Sequence, residues 1–241
     1  MNAIEISDLT FSYSNSPAVL LNISVEIAVG EVVVIAGPSG SGKSTLCNIM
    51  CGVIPHCIKG SLGGNITVMG LDPRDAGLPK TSLKAGMVFQ DADSQIICST
   101  VEDELAFGLE NLCLPPNEIR SRVDELIDDF GFSGSALANP SFLSGGQKKL
   151  LVIAAVLAPS PPILILDEPM SGLDSTGRDL VLTAIERQRM QGRTVVIVEH
   201  DLRHVSFADR WLLLKEGSVA QNAAPSEILQ NGNLPAEFCL A

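Results

Sequence analysis

Short apolar stretches with strand character dominate the first third of the chain. The stretch Glu31–Ala36 contains four successive β-branched apolar residues, which is typical of a strand buried on both faces. A helix is expected to follow it, from Lys43 to about Cys51. Other apolar stretches in this region predict further strands at Ile4–Tyr13, Leu20–Ile27, Asn65–Met69 and Gly86–Phe89.

Apolar residues at helical spacing take over between residues 91 and 158. Val101–Leu112 and Pro116–Gly131 both show this spacing, and a proline such as Pro116 is common in the first turn of a helix. A third helix is expected from about Gly145 through Leu157. We therefore predict a helical insert at residues 91–160.

Strand and helix patterns alternate again beyond the insert. Strands are predicted within Pro162–Pro169, Thr194–His200 and Arg210–Gly217, and a helix across Ser175–Gln191. Such alternation indicates an α/β fold with a mostly parallel sheet flanked by helices. We predict a single domain of residues 1–241, in which residues 1–90 and 161–241 share one sheet.

The segment Leu150–Leu166 contains no charged residue and resembles a membrane helix in its apolarity. It is shorter than the ~20 residues that such a helix needs. Prolines at positions 159, 161 and 162 also interrupt it, and proline breaks a helix interior. A buried helix, a turn and a buried strand explain the segment better. The N-terminal residues lack the basic and apolar regions of a signal peptide, so we expect no membrane-spanning segment.

The amino-acid composition indicates which partners the protein does not bind and in which cellular compartment it is expected. The chain is 46% hydrophobic and 18% charged, which is typical of an ordered globular protein. Its net charge of −12 argues against nucleic acid as a partner, because a phosphate backbone requires a basic face. The cysteines show neither metal-ligand spacing nor regular disulfide spacing, so we expect reduced thiols in a cytosolic protein. They are Cys47, Cys51, Cys57, Cys98, Cys113 and Cys239.

A glycine-rich loop follows the first buried strand and satisfies the pattern G-x-x-x-x-G-K-[ST]. Glycines let the backbone wrap closely around a phosphate, and the start of the next helix adds a positive dipole end. In this pattern Lys43 neutralises the β- and γ-phosphates of ATP, and the Ser44 hydroxyl ligates Mg²⁺. An ordinary turn between strand and helix is the alternative. The predicted nucleotide-binding residues of the loop are Gly37, Pro38, Ser39, Gly40, Ser41, Gly42, Lys43, Ser44 and Thr45.

Two acidic residues, Asp167 and Glu168, follow the apolar residues of the stretch ILILDEP. They are expected at the C-terminal edge of the sheet, where ligands of α/β proteins bind. Asp167 is predicted to hold Mg²⁺, and Glu168 to orient or deprotonate the attacking water. A strand that ends in two acidic residues is common for structural reasons alone, so this interpretation depends on the glycine-rich loop.

The segment Leu143–Gln147, here called the signature segment, reads LSGGQ. Alone it is also explained as a helix start with Ser144 as the N-cap. Together with the loop and the two carboxylates, it makes the chain resemble the ATP-binding cassette (ABC) ATPases over nearly its whole length. The resemblance implies a P-loop NTPase core of the RecA-like type with a mixed, mostly parallel sheet, an antiparallel β subdomain and an inserted α-helical subdomain. In that family LSGGQ of one subunit closes over the ATP of another, which implies nucleotide contacts from Ser144, Gly145, Gly146 and Gln147.

Four further residues match functional positions of the family. Tyr13 matches the aromatic residue that stacks on adenine, with a plain core aromatic as the alternative. Gln90 matches the glutamine that contacts Mg²⁺ and the attacking water. Asp174, in the sequence SGLD, matches a loop that communicates between two nucleotide sites. His200 matches the histidine that contacts the γ-phosphate, although a histidine after a strand is usually structural.

The resemblance thus implies two sets of residues around ATP and Mg²⁺. The predicted catalytic residues are Lys43, Gln90, Glu168 and His200. The predicted Mg²⁺ ligands are Ser44, Gln90 and Asp167.

The sequence after strand Gly86–Phe89 resembles one branch of the family. The stretch FQDADSQIICSTVEDELAFGLENL is similar to the energy-coupling-factor ATPases, which drive uptake of vitamins or of nickel and cobalt ions. Ala92 stands where that branch usually has proline. Leu150 and Met170 also depart from common family residues, but neither occupies a catalytic position.

The resemblance implies an ATPase subunit of a membrane transporter, in which ATP binding and hydrolysis close and open a dimer. Its partners would be a second ABC ATPase subunit, in a homodimer or a heterodimer, and an integral membrane subunit. The chain would then lie at the cytoplasmic face of the cell membrane. The segment Asp91–Ser99 is predicted to dock the membrane subunit, with a solvated loop as the alternative. A soluble ABC ATPase without a transport role is the second hypothesis, and a nucleotide-binding switch without catalysis is the third.

Overall fold

The computed structural model describes residues 1–230, so the end of the predicted domain and Cys239 lie outside the described residues. The strands are β1 (Asn2–Tyr13), β2 (Ala18–Ala28), β3 (Val32–Ala36), β4 (Gly60–Val68), β5 (Ala85–Val88), β6 (Ile163–Asp167), β7 (Thr194–Val198), β8 (Arg210–Lys215) and β9 (Ser218–Ala223). The helices are α1 (Lys43–Met50), α2 (Val53–His56), α3 (Pro73–Ala76), α4 (Leu78–Ser82), α5 (Val101–Asn111), α6 (Pro116–Asp129), α7 (Gly145–Leu157), α8 (Ser175–Met190) and α9 (Pro225–Gln230). Short 3₁₀ turns lie at Asp93–Gln95, Pro140–Phe142 and Leu202–Val205.

Six strands form one sheet in the order β5-β6-β7-β3-β8-β9. The first five strands in this order run parallel, and β9 pairs with β8 in the antiparallel direction. β3 and β5 precede the helical insert and the other strands follow it, so both parts of the chain share the sheet. The predicted α/β fold with a mixed, mostly parallel sheet is confirmed.

Alternate residues of the central strands belong to two cores on opposite faces of this sheet. In β3, Val32 and Val34 belong to one core, whereas Val33 and Ile35 belong to the other. The continuous apolar run in the sequence is therefore explained by burial on both faces. A second sheet has three antiparallel strands in the order β2-β1-β4. This sheet and helix α1 both pack on the core that contains Val33 and Ile35.

The helices of the insert cover the other core. α5 packs against α6 and α7, and α7 also packs against β5 and α8. α5 begins after Thr100, whose hydroxyl accepts a hydrogen bond of 3.1 Å from the Asp103 N–H, as an N-cap does. Because α7 packs on both the insert and the sheet, the signature segment at its N-terminus lies at the boundary between them.

The segment Leu150–Leu166 forms the end of α7, a turn and β6, as predicted. Five of the six residues from Leu150 to Ala155 are buried, which explains why the segment is apolar. Among the helices of residues 1–230, none combines the length and the apolarity that crossing a membrane requires.

The structure corrects the predicted bounds of several elements. The strand predicted at Asn65–Met69 begins at Gly60, because antiparallel pairing with β1 extends it through a glycine-rich segment of low strand propensity. The helix predicted to end at Gly131 ends at Asp129. No sequence pattern predicts β9 or the short helices α2, α3, α4 and α9, since elements this short carry little periodic signal.

Candidate functional site

The glycine-rich loop Gly37–Thr45 joins β3 to the start of α1. A Cβ on Gly37 would lie 2.2 Å from the carbonyl oxygen of Leu214, so the loop passes too close to β8 for any side chain there. Gly42 has φ of +102°, and a Cβ on it would lie 2.6 Å from Cδ2 of Leu20. Both glycines of the pattern are therefore required by the path of the backbone.

Lys43 extends its ammonium back into this loop. Nζ donates hydrogen bonds to the carbonyl oxygens of Gly37 at 2.8 Å and of Pro38 at 3.0 Å. Burial lowers the pKa of Lys43, and the carboxylates of Glu168 and Asp167 oppose that effect. α1 begins without a side-chain cap and without an acidic residue in its first turn. The loop thus combines a buried cation with uncapped helix N–H groups, which suits a phosphate.

Asp167 is the last residue of β6, and its side chain is buried. Burial raises the pKa of this carboxyl, and a hydrogen bond with the Ser44 side chain opposes the increase. Its Oδ1 atom has no hydrogen-bond partner. A buried carboxylate oxygen without a partner is unfavourable unless a cation neutralises it. Ser44 and Asp167 therefore fit a divalent cation beside the loop.

Glu168 follows Asp167 and has the left-handed backbone angle φ of +52°. Its backbone N–H donates a 2.9 Å hydrogen bond to the carbonyl of Val198, at the end of β7. Its carboxylate accepts hydrogen bonds from Gln90 Nε2 at 3.0 Å and from His200 Nε2 at 2.9 Å. Three of the predicted catalytic residues are thus in direct contact at the C-terminal edge of the sheet.

A cavity of about 360 Å³ unites these residues with the glycine-rich loop. Tyr13 lies at this cavity, half-buried, with its hydroxyl 2.8 Å from Oγ1 of Thr45. The edge-to-face contact of its ring with Phe11, at a centroid distance of 4.9 Å, also connects it to the core. The predicted site residues that line this cavity are Tyr13, Ser39, Gly40, Gly42, Lys43, Ser44, Thr45, Gln90, Glu168 and His200.

The signature segment lines a different cavity, of about 770 Å³. Ser144 caps α7: its Oγ accepts from the Gln147 N–H at 3.3 Å, and its own N–H donates to Gln147 Oε1 at 2.9 Å. Asp174 caps α8 by accepting from the Gly177 N–H at 2.7 Å. The predicted site residues that line this second cavity are Gln90, Ser144, Gly145, Gly146, Gln147 and Asp174. Of the predicted residues, only Gln90 lines both cavities among those described here.

Two buried charged residues near Glu168, Lys149 and Glu199, are not predicted from the sequence. Lys149 Nζ donates to the carbonyl oxygens of Glu168 and Ser171, both at 2.9 Å. Glu199 Oε1 accepts from the Met170 N–H at 3.2 Å. A lysine within an otherwise apolar helix and a glutamate directly before His200 are the signals that the sequence offered.

Comparison with known proteins identifies the family of this site. The family model described as ABC transporter matches residues 20–171, more than half of the chain. The chain belongs to the ABC transporter family. The match includes the glycine-rich loop, the signature segment and the carboxylates of Asp167 and Glu168, so the chain is an ATP-binding cassette of that family and an ABC-type ATPase.

Individual relatives are similar over almost the whole chain. A Pyrococcus horikoshii protein, provisionally named an ABC transporter ATP-binding protein, is 40% identical over 234 residues, which are 96% of this chain and 82% of the relative. The energy-coupling factor transporter ATP-binding protein EcfA1 of Levilactobacillus brevis is 36% identical over 241 residues, which are 99% of this chain and 85% of the relative. A Methanosarcina mazei relative is 41% identical over 231 residues, but the chain spans only 40% of its length.

Solved structures show the same cassette. The structure of cbiO1 from Clostridium perfringens, described as part of the ABC transporter complex cbiONQ, has a TM-score of 0.83 and 34% identity. The alignment covers 97% of this chain and 92% of that one. A dimeric ATP-binding cassette in a post-hydrolysis state, bound to ADP and Pi, has a TM-score of 0.81 and 28% identity. That alignment covers 92% of this chain and 98% of the other.

Proposed function

We propose that this ABC cassette hydrolyses ATP with Mg²⁺ as the ATPase subunit of a membrane transporter. The observation that carries the proposal is the Glu168 carboxylate, held by Gln90 and His200 in the cavity that the glycine-rich loop lines. A carboxylate placed beside a phosphate-binding loop is the arrangement that hydrolysis of a terminal phosphate requires.

The residues of the smaller cavity divide into those that bind and those that react. Backbone N–H groups of Gly37–Thr45 and the Lys43 ammonium bind the phosphates. The Tyr13 ring supports the adenine, and its hydroxyl contact with Thr45 keeps the ring beside the loop. Glu168 accepts a proton from the attacking water, while Gln90 and His200 hold its carboxylate in place.

Mg²⁺ would be held by Ser44, Asp167 and Gln90. The unpartnered Oδ1 of Asp167 and its bond with Ser44 support this assignment. Within residues 1–230, no group of three or more His, Cys, Asp or Glu side chains is placed to hold a metal ion. When bound, the ion neutralises charge on the β- and γ-phosphate oxygens.

A complete site would combine two cassettes. We propose that Ser144, Gly145, Gly146 and Gln147 contact ATP bound to a second cassette. Their position in a different cavity from that of the phosphate-binding loop supports this. Asp174, the N-cap residue of α8, lines the same cavity as the signature segment. The dimeric form of the solved post-hydrolysis cassette supports this arrangement. The second cassette would be another copy of this chain or a related one.

The transported substrate would be a vitamin or a metal ion. The support comes from the names of the Levilactobacillus brevis relative, an energy-coupling factor protein, and of the cbiO1 structure. In this role the chain lies at the cytoplasmic face of the membrane, bound to an integral membrane subunit. The alternative is a soluble ABC ATPase with no transport role, which would keep the same two cavities and hydrolyse ATP without a membrane partner.

The test of the catalytic proposal is the variant Lys43→Ala. Its ATP turnover with Mg²⁺ should fall by about two powers of ten or more, because the phosphates lose their cationic partner. Lys59→Ala is the matched control, since among the described residues that exposed lysine bonds to the carbonyl of Pro55 and does not line the cavity of the phosphate-binding loop. Turnover in Lys43→Ala equal to that of the control would contradict the proposed site.

A separate experiment distinguishes transport from the soluble alternative. The chain should stimulate substrate uptake in proteoliposomes that contain an energy-coupling-factor membrane complex lacking its own ATPases. ATP turnover that stays the same with and without such a complex, and no uptake, would favour the soluble ATPase.

A further inference from the structure

Lys149 is a buried lysine on α7, and it contacts the backbone that carries Glu168. Its side chain is 8% exposed, and its ammonium donates to the carbonyls of Glu168 and Ser171, both at 2.9 Å. Hydrogen bonds from a charged donor are stronger than neutral ones. One side chain thus joins the helix that begins with the signature segment to the turn that follows β6.

The backbone of Glu168 is held at both of its polar groups. Its N–H bonds to Val198 at 2.9 Å, and its carbonyl accepts from the Lys149 ammonium at 2.9 Å and from the Ser171 N–H at 3.3 Å. Its φ of +52° is unfavourable for a residue with a side chain, and such a conformation persists only where the surroundings fix it. The direction of the Glu168 carboxylate follows from this backbone. Loss of the Lys149 bond removes one of the three hydrogen bonds that hold the backbone, and the only one of them with a charged donor.

Glu199 explains how a lysine is tolerated at this depth. Burial lowers the pKa of Lys149, and attraction to the Glu168 and Glu199 carboxylates opposes that effect. Glu199 is itself buried and accepts from the Met170 N–H at 3.2 Å. A purely structural role for Lys149, in which it only neutralises Glu199, is the alternative to be tested.

We propose that Lys149 is a positioning residue for hydrolysis, which fixes Glu168 in its reactive orientation and attaches that orientation to α7. The inference rests on the proposed role of Glu168. Because α7 begins at the signature segment, a shift of this helix on contact with a second cassette's nucleotide is transmitted through Lys149 to the Glu168 backbone.

The first experiment measures ATP binding and turnover separately in Lys149→Met. We expect kcat to fall on the order of 100-fold, because a misplacement of about 1 Å of a reacting group has that effect. The equilibrium affinity for ATP and the KM should stay within about threefold, because Lys149 does not touch the phosphate-binding loop in the described contacts. Lys149→Arg keeps a charged donor and should recover turnover to within about tenfold of the unaltered protein.

The matched control is Lys148→Met, the neighbouring lysine on the same helix. Lys148 pairs with Asp93 at 3.2 Å and has no described contact with Glu168. Its variant should keep kcat within about threefold of the unaltered protein. A folded Lys149→Met protein with a kcat equal to that of Lys148→Met would overturn the proposal.

The second experiment separates positioning from stability. The double variant Lys149→Met/Glu199→Gln removes the carboxylate charge that Lys149→Met leaves unpaired, so its Tm should rise above that of the single variant. Its kcat should nevertheless stay low, because nothing replaces the bond to the Glu168 carbonyl. Recovery of kcat together with Tm would show that Lys149 only neutralises Glu199, and would overturn the proposal. An unaltered protein with no turnover would refute the proposed function itself, and this inference with it.

Discussion

The Glu168 carboxylate accepts two hydrogen bonds, from Gln90 and from His200, at the cavity that the phosphate-binding loop lines. We expect Glu168→Gln to slow ATP turnover by about two to four powers of ten, because the amide cannot accept a proton from water. ATP binding should persist, because the Gly37–Thr45 loop is unchanged. Turnover and equilibrium ATP binding, measured on the same preparation, check this expectation.

Glu216→Gln provides a control of the same chemistry and the same backbone conformation. Glu216 is an exposed residue between β8 and β9, and its φ of +48° is also left-handed. Its variant should turn over ATP at the rate of the unaltered protein. Near-normal turnover in Glu168→Gln as well would exclude Glu168 as the base.

The sequence predicts the position of a single side chain where its motif lies at the end of a predicted strand. Asp167 and Glu168 follow an apolar run, so the edge of the sheet fixes their location whatever the rest of the fold does. Lys149 and Glu199 were not predictable in this way. Their contacts join α7 to the turn after β6, and that turn to the residue after β7. A single sequence holds no signal for which buried charges meet across three segments.

Among the segments of the chain, the predicted docking segment Asp91–Ser99 is anchored internally and still presents an exposed apolar side chain. The Gln95 amide accepts from the Phe89 N–H at 2.7 Å and donates to the Met87 carbonyl at 3.1 Å. The buried Glu104 carboxylate accepts from the Ile97 N–H at 3.0 Å, yet the Ile97 side chain is 64% exposed. A fixed backbone with an exposed apolar side chain suits contact with a short helix of a partner.

We expect Ile97→Glu to disrupt the complex with the membrane subunit and to leave basal ATP hydrolysis nearly unchanged. The substitution would bury a charge against an apolar contact, which is unfavourable. Met190→Glu is the control, because Met190 is 72% exposed at the far end of α8. Co-purification of the cassette with an energy-coupling-factor membrane subunit measures the effect. An intact complex in Ile97→Glu would leave the solvated loop as the better interpretation of this segment.

The sequence predicts the long helices with periodic apolar residues well, but it does not predict the short helices or strand β9. The helices α5 to α8 follow from apolar spacing over ten residues or more. β4 starts five residues early because its glycine-rich beginning pairs with β1, which is a tertiary effect. The partner of an antiparallel edge strand such as β9 is likewise set by packing, not by its own sequence.

For the molecule as a whole, the two cavities predict that binding and assembly separate in mutants. Ser144→Arg should leave ATP binding by the monomer within about threefold, because Ser144 does not line the cavity of the phosphate-binding loop. It should prevent the ATP-dependent dimer, because a large cation fills the surface that would contact the second nucleotide. Size-exclusion elution with ATP, in the Glu168→Gln background that retains ATP, measures the dimer.

Ser133→Arg is the control for added charge and volume, since Ser133 is an exposed residue of the insert. It should dimerise normally with ATP. If Ser144→Arg weakened ATP binding by the monomer as much as Lys43→Ala does, both motifs would belong to one subunit's pocket, and the composite site would be wrong.

The placement of the signature segment away from the phosphate-binding loop has a consequence for inheritance. With the proposed pairing, a substitution at Ser144 of one chain inactivates the site that holds the nucleotide of its partner. The partner loses activity although its own sequence is unaltered. Where the second cassette is another copy of this chain, and altered and unaltered chains are made in equal amounts and pair at random, about three quarters of the dimers contain at least one altered chain. Such an allele would act dominantly, whereas an allele that prevents the chain from folding would remove only its own product.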